Sequence, residues 1–150
     1  MEDKSKASFL QHWFKGFAKS IDRIAEPDRN VIWKECGRAC SDSYTKQIYV
    51  ETYALCENIR DFCARLKERF PEMDICVSGD GGYIQLTYRY CACDLVRDGF
   101  MSTPLLCECS RQSLLYNWEA VLGEQRVEVE LLQSILGGGD CCRFLIRVLA

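Results

Sequence analysis

The stretch Asp74-Ile-Cys-Val-Ser-Gly-Asp-Gly-Gly-Tyr-Ile-Gln-Leu-Thr-Tyr-Arg-Tyr-Cys91 decides the fold class. Segments 74–78 and 83–91 read as two strands joined by Gly79-Asp80-Gly81-Gly82, whose glycines supply the positive φ that a tight hairpin needs. In the second segment Ile84, Leu86, Tyr88 and Tyr90 alternate with Gln85, Thr87 and Arg89. A period of two places one face of the strand inside and the other outside. No helix follows Asp80, so this glycine-rich tetrapeptide reads as a turn and not as a phosphate cradle.

On the N-terminal side, Leu10, Trp13, Phe14, Phe17, Ile21 and Ile24 recur at helical spacing over 7–25, and Pro27 ends that run. Asp28 offers a cap for a second helix over 29–40, which the polar Ser41-Asp42-Ser43 closes. A third helix is predicted over 49–70, with Leu55, Ile59, Phe62, Leu66 and Phe70 on one face and Pro71 as its stop. On the C-terminal side, Ser110 reads as the N-cap of a helix carrying Leu114, Leu115, Trp118, Val121 and Leu122, with Gly123 in the C′ position. Val127, Val129 and Leu131 alternate with Glu128 and Glu130, Gly137-Gly138-Gly139-Asp140 turns the chain, and 142–149 forms the last strand. The expectation is a single α+β domain over 1–150, with N-terminal helices packed on an antiparallel sheet of two hairpins and a helix between the hairpins.

At 150 residues the chain is long enough to bury an ordinary core, and 48% apolar against 27% charged residues excludes wholesale disorder. Nineteen basic and twenty-two acidic residues give a formal charge of −3. That balance offers no positive face for phosphate neutralisation, so no nucleic-acid partner is expected. No apolar run reaches the length of a membrane span, and the charged opening Met1-Glu2-Asp3-Lys4 does not read as an export signal. A cytosolic protein without membrane insertion is expected.

Eleven cysteines are the unusual feature. An odd count without an export signal argues against a disulfide scaffold. Cys56, Cys63 and Cys76 fall on helix stripes or inside a strand and read as core filler, whereas Cys36/Cys40, Cys91/Cys93, Cys107/Cys109 and Cys141/Cys142 come in close pairs. In an extended strand, residues i and i+2 share a face, so each C-x-C pair can present two sulfurs together. Four such thiolates suit tetrahedral zinc, and Cys142, with Glu130 as an oxygen ligand or general base, can join them. The expected metal set is therefore Cys91, Cys93, Cys107, Cys109, Cys142 and Glu130. Cys36 and Cys40, four apart on a helix, either complete a site or simply pack. His12 is the only histidine, which leaves no second imidazole for a triad or a two-histidine metal motif.

The order of these motifs in the second half is C-x-C at Cys107 and Cys109, Trp118-Glu119 with Gly123, Glu130 and Ser134, then Gly139-Asp140 and Cys142-Arg143-Phe144. From about Cys91 to Val148 it resembles the 4-vinyl-reductase-type domain, and it is similar to the related L-2-amino-thiazoline-4-carboxylate hydrolase-like proteins. The resemblance implies a small-molecule-binding α+β domain, often a homodimer, in which cysteines and a Glu after the helix bind zinc. By position Cys107 or Cys109, Glu130 and Cys142 would be its ligands. Gln133 and Ser134 stand where the sensory members of that family have a further cysteine.

The leading expectation is thus a zinc-containing binding domain for a small organic ligand, with an apolar pocket drawn from aromatics such as Trp13, Phe17, Tyr53, Phe62, Tyr88, Tyr90 and Trp118. Two alternatives stand beside it. One is a hydrolase of a cyclic amide or thiazoline, working through zinc-activated water with Glu130 as base or through a thiolate such as Cys109. The other is a thiol-redox protein.

Overall fold

A computed structural model describes residues 2–149. Its centre is a four-stranded antiparallel sheet of β1 (Met73–Val77), β2 (Tyr83–Tyr88), β3 (Val127–Gln133) and β4 (Cys142–Val148), in the order β1-β2-β4-β3. The two hairpins expected from the sequence are present, and they join along an antiparallel β2–β4 seam with Ile84 opposite Ile146 and Leu86 opposite Phe144. The Gly79–Gly82 turn is held by the Asp80 carboxylate, which accepts from the Gly82 N–H at 2.9 Å and from the Ser78 hydroxyl at 2.7 Å. Gly81 supplies the positive φ, at +74°.

Helices cover one face of the sheet. α1 (Glu2–Asp22) is followed by α2 (Glu26–Cys40), a π-helical turn (Ser41–Thr45) and α3 (Lys46–Ala54). α4 (Ile59–Arg69) precedes the sheet, while α5 (Asp94–Arg97) and α6 (Leu106–Leu122) separate the two hairpins. The fold class is the expected α+β arrangement, but its helices differ from the expected ones: α2 begins at Glu26, ahead of Asp28, and α6 begins at Leu106, four residues before the expected cap Ser110. The Ser41-Asp42-Ser43 stretch does not close α2, because the extra residue of a π turn carries the helix through into α3. The Ser41 hydroxyl, instead of capping, is wholly buried and bonds the Ser113 carbonyl at 3.0 Å and the Ser113 hydroxyl at 2.8 Å on α6. The helix predicted over 49–70 is broken at 55–58. There Asn58 takes extended φ/ψ, and its side chain accepts from the Asp61 N–H, which caps α4. Leu55, predicted to be buried, is therefore 71% exposed in the connection.

The main core lies between the sheet and α3, α4 and α6. Ile84, Leu86, Met73 and Ile146 point inward from the strands and meet Phe62, Leu66 and Trp118 from the helices, all of them fully buried. Trp118 packs edge-on against Phe62, with ring centroids 5.4 Å apart. Each such side chain removes enough apolar surface from water to contribute about 1.5–3 kcal/mol. A second cluster, built on Ile21, Trp33, Met101 and Leu106, fixes α1 and α2 to the segment before α6. Gly123 ends α6 as its C-cap, at φ +107° and ψ 151°, a conformation open to glycine but not the left-handed one of the expected C′ position. No helix among the described residues is long and apolar enough to cross a membrane.

Candidate functional site: a thiol-lined cavity

A cavity of about 580 Å³ lies among α2, the π-helical turn, α6, the segment after β2 and the start of β4. Four elements bring cysteines to its wall. Cys36 and Cys40 come from α2, Cys91 and Cys93 from the irregular segment after β2, Cys107 and Cys109 from the first turn of α6, and Cys142 from the start of β4. Between them lie the rings of Tyr44, Tyr49, Phe70, Tyr88 and Phe144 and the side chains of Leu106, Leu114 and Leu136.

The cysteines selected from the sequence as metal ligands do face a common space, but not a common point. Among the described residues, no three His, Cys, Asp or Glu side chains come together in a way that could hold a metal ion. The metal-binding expectation placed on Cys91, Cys93, Cys107, Cys109, Cys142 and Glu130 is corrected accordingly. The reason is local geometry. β2 stops at Tyr88, so Cys91 and Cys93 lie beyond the strand, and α6 starts at Leu106, so Cys107 and Cys109 are helical and not extended. At 100° per residue, i and i+2 on a helix point about 200° apart. Cys107 turns toward β4 and Ser134, whereas Cys109 turns toward Cys36 and Cys40 on α2. Glu130 lies on the opposite face of β3 from the buried Val127 and Val129, exposed on the uncovered side of the sheet. The zinc-hydrolase reading that relied on Glu130 loses its base with the same observation.

One of these sulfurs has a structural partner. The Cys142 sulfur accepts from the Ile135 N–H at 3.4 Å, which ties the turn after β3 to β4. At Cys93 it is the main-chain carbonyl that is engaged, accepting from the Val96 and Arg97 N–H groups at 3.1 and 3.0 Å at the start of α5. All eleven cysteines are free thiols. Burial pushes the thiols of Cys93, Cys107 and Cys142 above their ordinary value, and neighbouring sulfurs add to the effect. For Cys109 burial comes first, followed by the proximity of Cys40, Cys36, Cys93 and Glu108, and together they raise it to about 12. Cys93, Cys107, Cys109 and Cys142 consequently present neutral thiols, which behave as small polarisable hydrophobes and as poor nucleophiles.

Of the aromatics expected around a pocket, Tyr88 and Tyr90 line the cavity, while Phe62 and Trp118 are core and Trp13 is 55% exposed on α1. His12 is exposed, with Nδ1 donating to the Ser8 carbonyl at 2.7 Å, away from the cavity. Sequence reasoning missed Tyr44, Tyr49, Glu72 and Asn117. The first had a readable signal: Cys36, Cys40 and Tyr44 form an i, i+4, i+8 ladder once the helix is continued through Ser41-Asp42-Ser43. Asn117 is buried, and its side chain exchanges hydrogen bonds with the Thr45 hydroxyl at 3.2–3.4 Å.

No family model matches the chain, and no curated protein matches it. Among solved structures it is similar to trafficking protein particle complex subunit 3 from Naegleria fowleri, crystallised covalently bound to palmitic acid. The TM-score is 0.54 over 98% of this chain and 97% of that one, with 14% identical residues. This neighbour is a subunit of a trafficking complex and not a metal or hydrolase domain, which also corrects the hydrolase-like expectation. At that identity the likeness establishes a shared fold: this chain has the α+β architecture of a trafficking-complex subunit.

Proposed function

We propose that this protein is a binding module that encloses the hydrocarbon part of a small amphiphilic molecule in the cavity between α2, α6 and β4. The observation that carries the reading is the cavity itself. Its volume of about 580 Å³ falls within the roughly 300–1,000 Å³ range of small-molecule sites. Its wall of Leu, Phe, Tyr and Cys side chains favours an apolar occupant through desolvation. Palmitic acid in the structural neighbour supports a long-chain occupant, and the resemblance of the second half to a small-molecule-binding domain points the same way. Raised thiol values at Cys93, Cys107, Cys109 and Cys142 favour non-covalent retention at neutral pH over attachment through sulfur at these positions. The neighbour works within a complex, and assembly of this chain with a second copy or with other subunits is part of the same proposal.

The test is fluorescence titration of purified, reduced protein with Nile red, repeated on Ala39→Trp. Ala39 lines the cavity from an exposed position on α2, so the indole occludes it without disturbing the core. Saturable enhancement with one probe per chain, weakened at least about tenfold in Ala39→Trp, is expected. Equal enhancement in both proteins would show that the probe binds elsewhere and would overturn the reading.

A further inference from the structure

The charge of the cavity wall narrows the class of occupant, on the premise that the cavity binds an amphiphile at all. Among the lining residues only Glu72 and Asp94 carry charge, and both are acidic; no Lys, Arg or His contributes to the wall. Neither carboxylate takes part in a salt bridge among the described residues. Both lie within electrostatic reach of Tyr44, and Glu72 also of Tyr88. Tyr44 is 60% exposed and Tyr90 49% exposed, so two phenol rings stand at the solvent end of the cavity beside the two acids, while Tyr88 is more buried.

Three cations border the wall without lining it. Lys67 and Arg89 bond the Asp74 carboxylate at 2.9 and 3.1 Å in a neighbouring cleft that Glu72 also borders. The Arg97 guanidinium packs 5.8 Å from the centre of the Tyr90 ring. A carboxylate placed among Tyr44, Glu72 and Asp94 would meet two like charges and no lining counter-ion. An ammonium placed there would meet two carboxylates and the Tyr44 ring beside them, the combination of anion and aromatic ring by which proteins recognise alkylated amines.

We propose that the preferred occupant is a cationic amphiphile, a long-chain alkyl amine or ammonium, whose chain fills the thiol-lined interior and whose head rests among Glu72, Asp94, Tyr44 and Tyr90. A free fatty acid is selected against by the same residues. This deepens the binding reading above by assigning the head group, and the two can fail separately.

The experiment is displacement of Nile red at pH 7.4 by dodecylamine, dodecanol and dodecanoate, each below its micellar concentration, from the wild-type protein and from Glu72→Gln/Asp94→Asn. Dodecylamine is expected to bind about tenfold or more tighter than dodecanoate to the wild type, and the preference to collapse to within about threefold in the double variant. Dodecanol affinity should be equal in the two proteins, which separates loss of charge recognition from damage to the cavity. Dodecanoate binding as tightly as dodecylamine to the wild type, or an unchanged ratio in the double variant, overturns the head-group assignment and leaves the cavity reading standing. Weakened dodecanoate binding in Arg97→Gln, with dodecylamine unaffected, likewise overturns it by making Arg97 the head-group partner. Failure of all three compounds to displace the probe overturns the binding reading and this one with it.

Discussion

Gly37 on α2 lies against the main chain of Cys109 on α6, so close that a Cβ at Gly37 would stand 2.7 Å from the Cys109 carbonyl oxygen. The same added carbon would meet the Ser113 nitrogen at 2.9 Å. The absence of a side chain at one position thus sets the spacing of the two helices that carry Cys36, Cys40, Cys107 and Cys109 to the cavity. The Ser41–Ser113 hydrogen bonds lock the same crossing one turn further along.

Gly37→Ala tests that crossing. On an exposed helix the change would stabilise by up to about 1 kcal/mol through helix propensity. Here backbone atoms stand in the way and cannot rotate aside, so overpacking dominates and a net loss of about 1–3 kcal/mol is expected. Urea unfolding of the two proteins measures it; a more stable alanine variant would show that α2 and α6 are not in contact at this point.

The wholly buried Trp118 joins α6 to α4 and the sheet, and Trp118→Ala should cost about 3–5 kcal/mol in the same assay. Leu132→Ala, at a position 44% exposed on the uncovered face of the sheet, should stay within about 0.5 kcal/mol of wild type. A large effect at Leu132 would indicate that the open face is covered in solution.

Alkaline pH should destabilise the fold. The thiols of Cys63 and Cys109 are held up to about 12, with burial as the first cause, against an ordinary value of 9.0. Above pH 9 the unfolded chain loses these protons while the folded chain keeps them, so stability present below 9 declines as pH rises toward 12. Melting temperatures under reducing conditions should be level with respect to these groups below pH 8 and fall from pH 9 upward. Near neutral pH, iodoacetamide should modify Cys109 more slowly than the exposed Cys76, as followed by peptide mass spectrometry.

Glu130→Gln should leave stability within about 0.5 kcal/mol of wild type, because the residue is exposed on the sheet face opposite the core. Treatment with EDTA should leave the melting temperature of the wild type unchanged. A fall of several degrees on chelation would restore a structural metal and overturn the corrected assignment.

The sequence by itself determined the elements whose cause is local. The period of two in Tyr83–Tyr88 and in Val127–Leu131, the glycine turn around Asp80 and the helix end at Gly123 each depend on a residue's own conformational preferences and its immediate neighbours, and each is found in the structure. These elements suffice for a one-domain α+β fold. Tertiary structure alone decided what the cysteines do. Whether Cys107 and Cys109 diverge or converge depends on whether they begin a helix or precede it, a matter of one turn at an element boundary. The polar Ser41-Asp42-Ser43 ends a helix when exposed to water and continues one when Ser41 finds Ser113 seventy-two residues away. Direction and burial of a side chain are set by such distant partners, which is why the chemistry-bearing residues were visible in the chain while their arrangement around a cavity, and not around an ion, was not.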